Sequence, residues 1–390
     1  MNTKICFIQY TEYSRAPRIR RNAEALEQLG YIVDCYVLGE SDKFETINNV
    51  NIIQSNIRQY RGNSFVRYII SYFKFFMWSF WKLSICHLGR YKVINVINIP
   101  EFIIISIIIN KLFKTKIILD FTDFMPELYS AKFRTSRLMS KIIYNLLLLQ
   151  ERIFCYFADH LLTVHKPSKL HMVNVHKLNE SKIKVITNLP DKSIFRVNDM
   201  PKRKRGKELT FIYHGTISRR FDFKTVLHAF SIVKSNDIKF KFNIYGKGEY
   251  VNELIGIIDN YNLTNEVIYK GFYPIVKMPE EIKKADIGIV SYEKSDATEL
   301  MFPLKLMEYL VMDIPVITIK NKAIGYYFDD SHLFYYDYGD YNKLANLITN
   351  IYSNYTLMDD MKLNCNEKLK YFNWDIEKKK YQTMMKEIVN

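Results

Sequence analysis

Cysteine is scarce and scattered: five in 390 residues, Cys6, Cys35, Cys86, Cys155 and Cys365, with no C-x-x-C pair among them. A disulfide framework or a zinc knot needs short, repeated spacings, so both are excluded and a reducing compartment is expected. Long apolar runs are lacking too. The longest, residues 102–109 and 146–149, fall well short of the roughly 20 residues that a spanning helix needs. At the start of the chain apolar Ile5 to Ile8 gives way to Gln9, too short a stretch for a signal peptide. No D-x-D pair lies near a strand end, and His165, His171 and His176 follow a spacing that fits neither a helix face nor a zinc finger. These absences predict a cytoplasmic chain without a transmembrane segment, with no metal and no other cofactor.

What is present is globular in composition, 48% hydrophobic and 25% charged, in a chain longer than one core usually serves, so two domains are expected. Lys and Arg total 56 against 41 Asp and Glu, and the net +15 favours an acidic partner: nucleotide phosphate, anionic lipid or nucleic acid.

The first half alternates. A short apolar run at 4–10 precedes helical spacing of Ile19, Ala23, Leu26 and Leu29, with Gly30 where a helix stops and a second strand at 31–38. Strands at 93–97, 116–120 and 160–164 follow, separated by helices at 101–112 and 136–157. After Phe195 the run Lys202-Arg203-Lys204-Arg205-Gly206-Lys207 predicts a solvated linker over 196–207. A second series begins behind it, with strands at 210–213, 240–245, 267–269, 287–291, 315–319 and 333–336 and helices at 223–234, 250–261, 279–285, 305–312 and 341–352. Such alternation means α/β domains with parallel, doubly wound sheets, whose carboxyl ends are where a ligand binds.

Phe302-Pro303-Leu304-Lys305-Leu306-Met307-Glu308-Tyr309 is the sharpest local signal. Pro303 opens a helix, so Lys305 falls in its first turn and Glu308 one turn on, near the same face. A carboxylate there accepts two hydrogen bonds from a ribose diol, while the helix N-terminus and Lys305 attract a diphosphate. The same residues also fit an exposed Lys–Glu pair on an ordinary amphipathic helix. Phe211-Ile212-Tyr213-His214-Gly215-Thr216 is a strand running into a glycine turn, followed by Arg219 and Arg220, whose guanidinium groups suit phosphate oxygens. Gly246 with Gly248, and Gly271, break two more strand ends; each alone is also a plain turn.

On these residues the C-terminal half resembles the retaining glycosyltransferases of family 4 with the GT-B fold. The resemblance runs through Y-H-G-T at Tyr213–Thr216, Gly246-x-Gly248, Gly271, Ala285-Asp286-Ile287-Gly288 and the P-x-K-x-x-E-Y block from Pro303 to Tyr309, with Pro315-Val316-Ile317 behind it. In the N-terminal half, Arg15-Ala16-Pro17-Arg18, the segment from Asp120 to Leu128, and Asn188-Leu189-Pro190-Asp191 with Phe195 resemble the family's corresponding segments. The resemblance implies two Rossmann-like domains facing across a cleft: residues 1–195 for the acceptor, 208–370 for a nucleotide sugar, and a C-terminal helix over 371–390 packing back on the first domain. It implies transfer of a sugar with retention to a lipid-linked or oligosaccharide acceptor, the departing diphosphate itself helping to deprotonate that acceptor. The donor contacts it implies are Gly215, Thr216, Arg219, Arg220, Gly246, Gly271, Glu299, Leu304, Lys305 and Glu308, with Arg220, Lys305 and Glu308 at the catalytic centre. Acceptor-side contacts would be Arg15, Arg18, Thr122, Asp123 and Glu127, the two carboxylates reading equally as helix N-terminal charge near Pro126; His165, at a strand end, is expected as a further acceptor-side contact rather than a metal ligand. The family's paired glutamates are eight apart, but the position eight before Glu308 is Leu300 and Glu299 stands one residue off; the family's cleft histidine is Thr122 here.

Residues 64–82 are the most aromatic stretch, with Arg67, Ser71, Lys74 and Trp78 on one helical stripe and the rest apolar. That suits a helix lying on an anionic membrane surface, or equally a core helix with one solvated stripe. Aromatics beside cations also suit single-stranded nucleic acid, but no OB or RRM strand pattern accompanies them, so no nucleic-acid partner is expected. The leading expectation is a glycosyltransferase of cell-surface polysaccharide synthesis at the inner face of the cytoplasmic membrane. A nucleotide-sugar epimerase and a non-catalytic membrane-bound scaffold are the alternatives.

Overall fold

The computed structural model describes residues 3–60, 64–132, 136–196 and 208–390. Apart from Arg196, the basic linker lies outside them. The chain divides into two units, Met1–Asn188 with Asp375–Asn390, and Leu189–Trp374.

The N-terminal unit is built on eight strands: β1 Lys4–Glu12, β2 Ile32–Leu38, β3 Lys43–Ile47, β4 Val50–Ser55, β5 Val93–Ile97, β6 Lys116–Phe121, β7 His160–Thr163 and β8 Ile183–Val185. Their order is β3-β4-β2-β1-β5-β6-β7-β8, and every pairing is parallel except β3 with β4. That antiparallel pair is absent from the sequence reading. It closes on Asn48 and Asn49, both at positive φ, where the short polar side chain of Asn tolerates the left-handed region. Strands β5 and β6 are almost wholly buried, and β1 is buried from Ile5 to Ile8, as mostly apolar strands in a sheet covered on both faces should be. Helix Pro17–Glu27, which holds Ile19, Ala23 and Leu26 buried, follows a 3-10 turn at Tyr13–Arg15. The segment Glu101–Phe113 coils as a 3-10 helix rather than an α-helix, consistent with its β-branched isoleucines. Helix Lys166–His176 is a further element beyond the sequence reading.

Helix Trp374–Val389 counts with this unit from Asp375 onward. The Thr187 N–H donates to Glu377 Oε2 at 2.7 Å, Gln382 Nε2 donates to Ala25 O at 2.7 Å, and Tyr381 is fully buried.

In the C-terminal unit, β9 Leu209–Thr216, β10 Phe240–Lys247, β11 Val267–Gly271, β12 Ile287–Val290, β13 Val316–Ile319 and β14 Phe334–Tyr336 pair in the order β11-β10-β9-β12-β13-β14. All five pairings are parallel. Counted within the unit this is 3-2-1-4-5-6, the doubly wound order, and its topological switch lies between β9 and β12. Phe211, Phe230, Phe240 and Phe242 interlock at ring separations of 4.8 to 6.5 Å on one side of β9. Both units are thus α/β with Rossmann-like parallel sheets.

Candidate active site

Of the donor candidates, Gly215, Thr216, Arg220, Lys305 and Glu308 gather where β9 ends. Helix Leu304–Val311 begins after Pro303, which caps it in an extended conformation, and it carries Lys305 and Glu308 in its first two turns. Lys305 Nζ lies 3.7 Å from the ring centre of Tyr213 and 4.3 Å from that of Phe221, buried and without a hydrogen-bond partner. An ammonium in such an aromatic cage keeps the cation–π attraction but loses its water. Burial pushes the Lys305 amine well below its usual range; the nearby Arg220 charge works the same way and Glu308 opposes it. A Cβ on Gly215 would stand 3.2 Å from that Nζ, so the missing side chain is what leaves room over the β9 terminus.

Arg219 and Arg220 share the 3-10 turn Arg219–Phe221, and the structure separates them. Arg219 is exposed and pairs with Glu293 at 3.5 Å. Arg220 is half-buried over the Phe221 ring at 5.1 Å, with a buried Nε that has no partner. Arg220 is the cation beside Lys305; Arg219 is not. Asp222 takes the left-handed conformation at φ 45° and caps helix Phe223–Ser235 by accepting from the Thr225 N–H.

Glu308 is 5% exposed, and its Oε2 is 2.7 Å from His214 Nε2. The other ring nitrogen, His214 Nδ1, is 2.9 Å from the Tyr309 hydroxyl, which also accepts the His214 backbone N–H at 3.0 Å. His214 and Tyr309 stand inside quoted motifs, yet the sequence reading assigns them no role; their signal is only their adjacency to Gly215 and Glu308.

Two other donor candidates, Gly246 and Glu299, have protein partners of their own. A Cβ on Gly246 would sit 1.7 Å from Gly215 O, so Gly246 lets β10 close on β9. Gly271, at φ 71°, ends the edge strand β11, two strands from β9. Glu299 Oε2 accepts from the Lys322 N–H at 3.2 Å, at the start of helix Lys322–Tyr327. Thr216 is exposed and Leu304 half-buried at the helix start.

The acceptor-side candidates are mostly interior. Arg18 makes two 2.8 Å bonds to the Asp120 carboxylate and a third to Ile186 O, with 4% of Arg18 and none of Asp120 exposed. Such a fork holds β6 to the first helix. His165 is 1% exposed and caps helix Lys166–His176, its Nδ1 accepting from the Ser168 N–H at 3.1 Å, so it is a capping residue and not a strand-end contact. Glu127 is 3% exposed and bonded to His171 at 3.2 Å and Tyr144 at 3.1 Å. Burial opposes its ionisation, but the His171 hydrogen bond and charge outweigh that and hold its carboxyl below the ordinary range. Thr122 is half-buried and bonds through its N–H and Oγ1 to Asn98 Oδ1, at 2.8 and 3.1 Å. Asp123 is half-buried, and Arg15 pairs with Glu12 at 3.2 Å on the surface. The three histidines do not converge: His176 lies 3.2 Å from Glu151, whereas His171 serves Glu127. Among the described residues no group of three His, Cys, Asp or Glu is placed to hold a metal.

Glu101, wholly buried, accepts from Asn98 Nδ2 at 2.9 Å, and burial, with Asp123 and Glu127 adding, pushes its carboxyl up from 4.5 to about 7. A carboxyl raised on folding favours the protonated native state. Its stabilising preference is present below the unfolded value and is lost as pH rises from about 4.5 to about 7. Glu101→Gln is therefore expected to gain on the wild type across that interval, by about 3 kcal/mol at its top end, and denaturant melts of both proteins at several pH values will measure the gap.

Two helices of the N-terminal unit expose apolar side chains. Helix Phe65–Phe80, continued by a π-turn at Trp81–Cys86, exposes Ile69, Ile70, Phe73, Met77, Trp81 and Ile85. The stripe of the sequence reading is divided: Arg67 and Lys74 are exposed, but Ser71 bonds to the Tyr10 hydroxyl and Trp78 packs on Tyr36. Helix Arg137–Phe157 exposes Ile142, Leu146, Leu149, Ile153 and Tyr156 at alternating spacings of four and three. Among the described residues no helix is long and apolar enough to cross a membrane.

Residues 196–368 match the family model of glycosyl transferases group 1. The chitobiosyldiphosphodolichol beta-mannosyltransferase of Debaryomyces hansenii is 22% identical over 347 residues, covering 80% of this chain and 71% of that protein. Its Candida albicans counterpart is 22% identical over 373 residues, 88% of this chain and 76% of that one. In fold the chain is similar to sucrose-phosphate synthase from Thermosynechococcus elongatus, with a TM-score of 0.75 at 15% identity over 99% of both chains. It is also similar to S. aureus TarM, solved with fondaparinux, alpha-GlcNAc-glycerol and UDP, with a TM-score of 0.73 at 10% identity over 100% of both. The fold is GT-B, and the chain is a glycosyltransferase. Its C-terminal unit carries the group 1 domain.

Proposed function

We propose that the chain moves a sugar from a nucleoside diphosphate donor, bound in the C-terminal unit, to a saccharide carried on a lipid diphosphate at an anionic membrane surface on the cytoplasmic side. The observation that carries the donor half is Lys305: a buried cation without a hydrogen-bond partner, beside Arg220, at the β9 terminus. Growing charge on a leaving diphosphate meets two fixed positive groups there, and Glu308 receives the ribose diol. The lipid-linked acceptor is supported by the relatives' name and by the exposed apolar side chains of two helices in the N-terminal unit.

Calorimetric titration of UDP and GDP into the wild type and Glu308→Ala tests this. Loss of a charged hydrogen-bond partner should weaken the preferred nucleotide by roughly 1.5–3 kcal/mol, and unchanged affinity would remove Glu308 from the site.

The two cations also stand where a divalent ion would otherwise neutralise the diphosphate. Transfer from a panel of nucleotide sugars is thus expected to persist in EDTA; abolition by EDTA and rescue by Mn²⁺ or Mg²⁺ would contradict that.

Retention, which the motif resemblance implies, needs no protein base. Inversion is the second reading, favoured by the beta-mannosyl product in the relatives' name, since a β-linked product made from an α-linked donor is inverted. Inversion requires a base to take the acceptor's proton. Asp123, half-buried where Glu127 and Glu101 are sealed, is the carboxylate suited to it. The anomeric configuration of the product, read by NMR, decides between the two.

A further inference from the structure

We propose that His214 is a positioning residue for donor recognition, fixing the direction in which the Glu308 carboxylate faces. The proposal rests on the reading of Glu308 as the group that receives the ribose diol.

The hydrogen-bond directions follow from the one donor that has no choice. The His214 backbone N–H can only donate, and it donates to the Tyr309 hydroxyl at 3.0 Å. That oxygen therefore accepts there, and its own proton serves another atom. Two acceptors are within reach, His214 Nδ1 at 2.9 Å and Ile212 O at 3.4 Å, and the imidazole nitrogen is the better placed. With Nδ1 accepting, the proton of the neutral ring sits on Nε2, which donates to Glu308 Oε2 at 2.7 Å. Each polar atom of the ring is then satisfied.

The relay is anchored on the two strands that flank the topological switch. His214 belongs to β9, with 4% of its surface exposed. Tyr309 lies flat against β12, since a Cβ on Gly288 would come within 2.4 Å of its ring. A free carboxylate turns about its last side-chain bond and loses that freedom when it grips a diol. Holding Oε2 in advance removes that cost and leaves Oε1 pointing where the first ribose hydroxyl arrives. His214 acts through Glu308 and need not touch the donor.

The test compares UDP with 2′-deoxy-UDP, and GDP with 2′-deoxy-GDP, by calorimetry on the full chain. The wild type should prefer the ribonucleotide, and Glu308→Ala should lose that preference. His214→Phe should weaken the ribonucleotide roughly tenfold and the deoxynucleotide little. His214→Gln, whose amide N–H reaches the place of Nε2–H, should restore most of the preference. A histidine that mattered only for folding would lower both affinities alike and overturn the proposal. So would a wild-type preference in His214→Phe beside a lost one in Glu308→Ala, which leaves the ribose reading standing. A preference that survives Glu308→Ala overturns that reading and this proposal with it. If His214→Phe fails to fold, Tyr309→Phe carries the test: it should reduce the preference severalfold, and an unchanged preference overturns the relay.

Discussion

Replacing Lys305 with Met is expected to lower turnover by about 10²–10³-fold, and to abolish an uptake of protons that accompanies nucleotide binding in the wild type. Both follow from the cage. The ammonium between Tyr213 and Phe221 has no hydrogen-bond partner in the protein, and burial and Arg220 both disfavour its charge. A diphosphate arriving beside it reverses that balance, because an adjacent anion favours the charged form of an amine. Binding therefore draws a proton from the buffer wherever the empty site holds Lys305 neutral. Titrations in two buffers of different ionisation enthalpy, repeated from neutral to alkaline pH, will measure it. Identical apparent enthalpies in both buffers would show that Lys305 carries its full charge before the nucleotide arrives. Met matches the length and apolar stem of Lys305, so the loss would report the charge and not a cavity between the two rings.

Much of this centre was legible because it is local in sequence. Pro303, Lys305 and Glu308 lie within one stretch, and helix geometry alone puts the two charged groups on neighbouring turns. Three strand ends breaking into glycine likewise marked the end of the second sheet. What the sequence does not carry is whether a polar side chain meets a ligand or another part of the protein. Arg18 and Asp120 both fall in quoted motifs, but only the paired sheet order shows that they are partners across 102 residues. His165 at a strand end looks like a contact until the following helix shows it as a cap. Gly246 looks like a phosphate turn, yet its space is filled by the Gly215 carbonyl. The Asn48-Asn49 hairpin escaped because β3 is short and mostly exposed, with no apolar run to read, and β4 is only six residues long. The stripe at Arg67, Ser71, Lys74 and Trp78 was misjudged for a different reason: Ser71 and Trp78 find buried partners in Tyr10 and Tyr36, distant in sequence, and the isoleucines beside them turn outward instead.

That outward turn makes the protein's recovery with vesicles the second large effect. With anionic vesicles at low salt most of the protein should float, and little should do so with neutral vesicles or at high salt. Most of the exposed side chains on helices Phe65–Phe80 and Arg137–Phe157 are apolar, and the sequence holds no acidic residue from 46 to 100 or from 128 to 150. Arg67, Lys74 and Lys141 lie on these helices without an opposing carboxylate in the same stretch. Each cation near an anionic surface contributes about 1 kcal/mol, which salt screens. A buried apolar side chain adds about 1.5–3 kcal/mol that salt does not weaken. The two contributions are separable on that ground. Replacing Phe73 and Trp81 by Ser should reduce recovery at every salt concentration, whereas replacing Arg67 and Lys74 by Gln should flatten the salt dependence. The same weak recovery with neutral and anionic vesicles, or none lost in the Ser variant, would mean that these side chains meet something other than lipid, and the lipid-linked acceptor would lose its structural support.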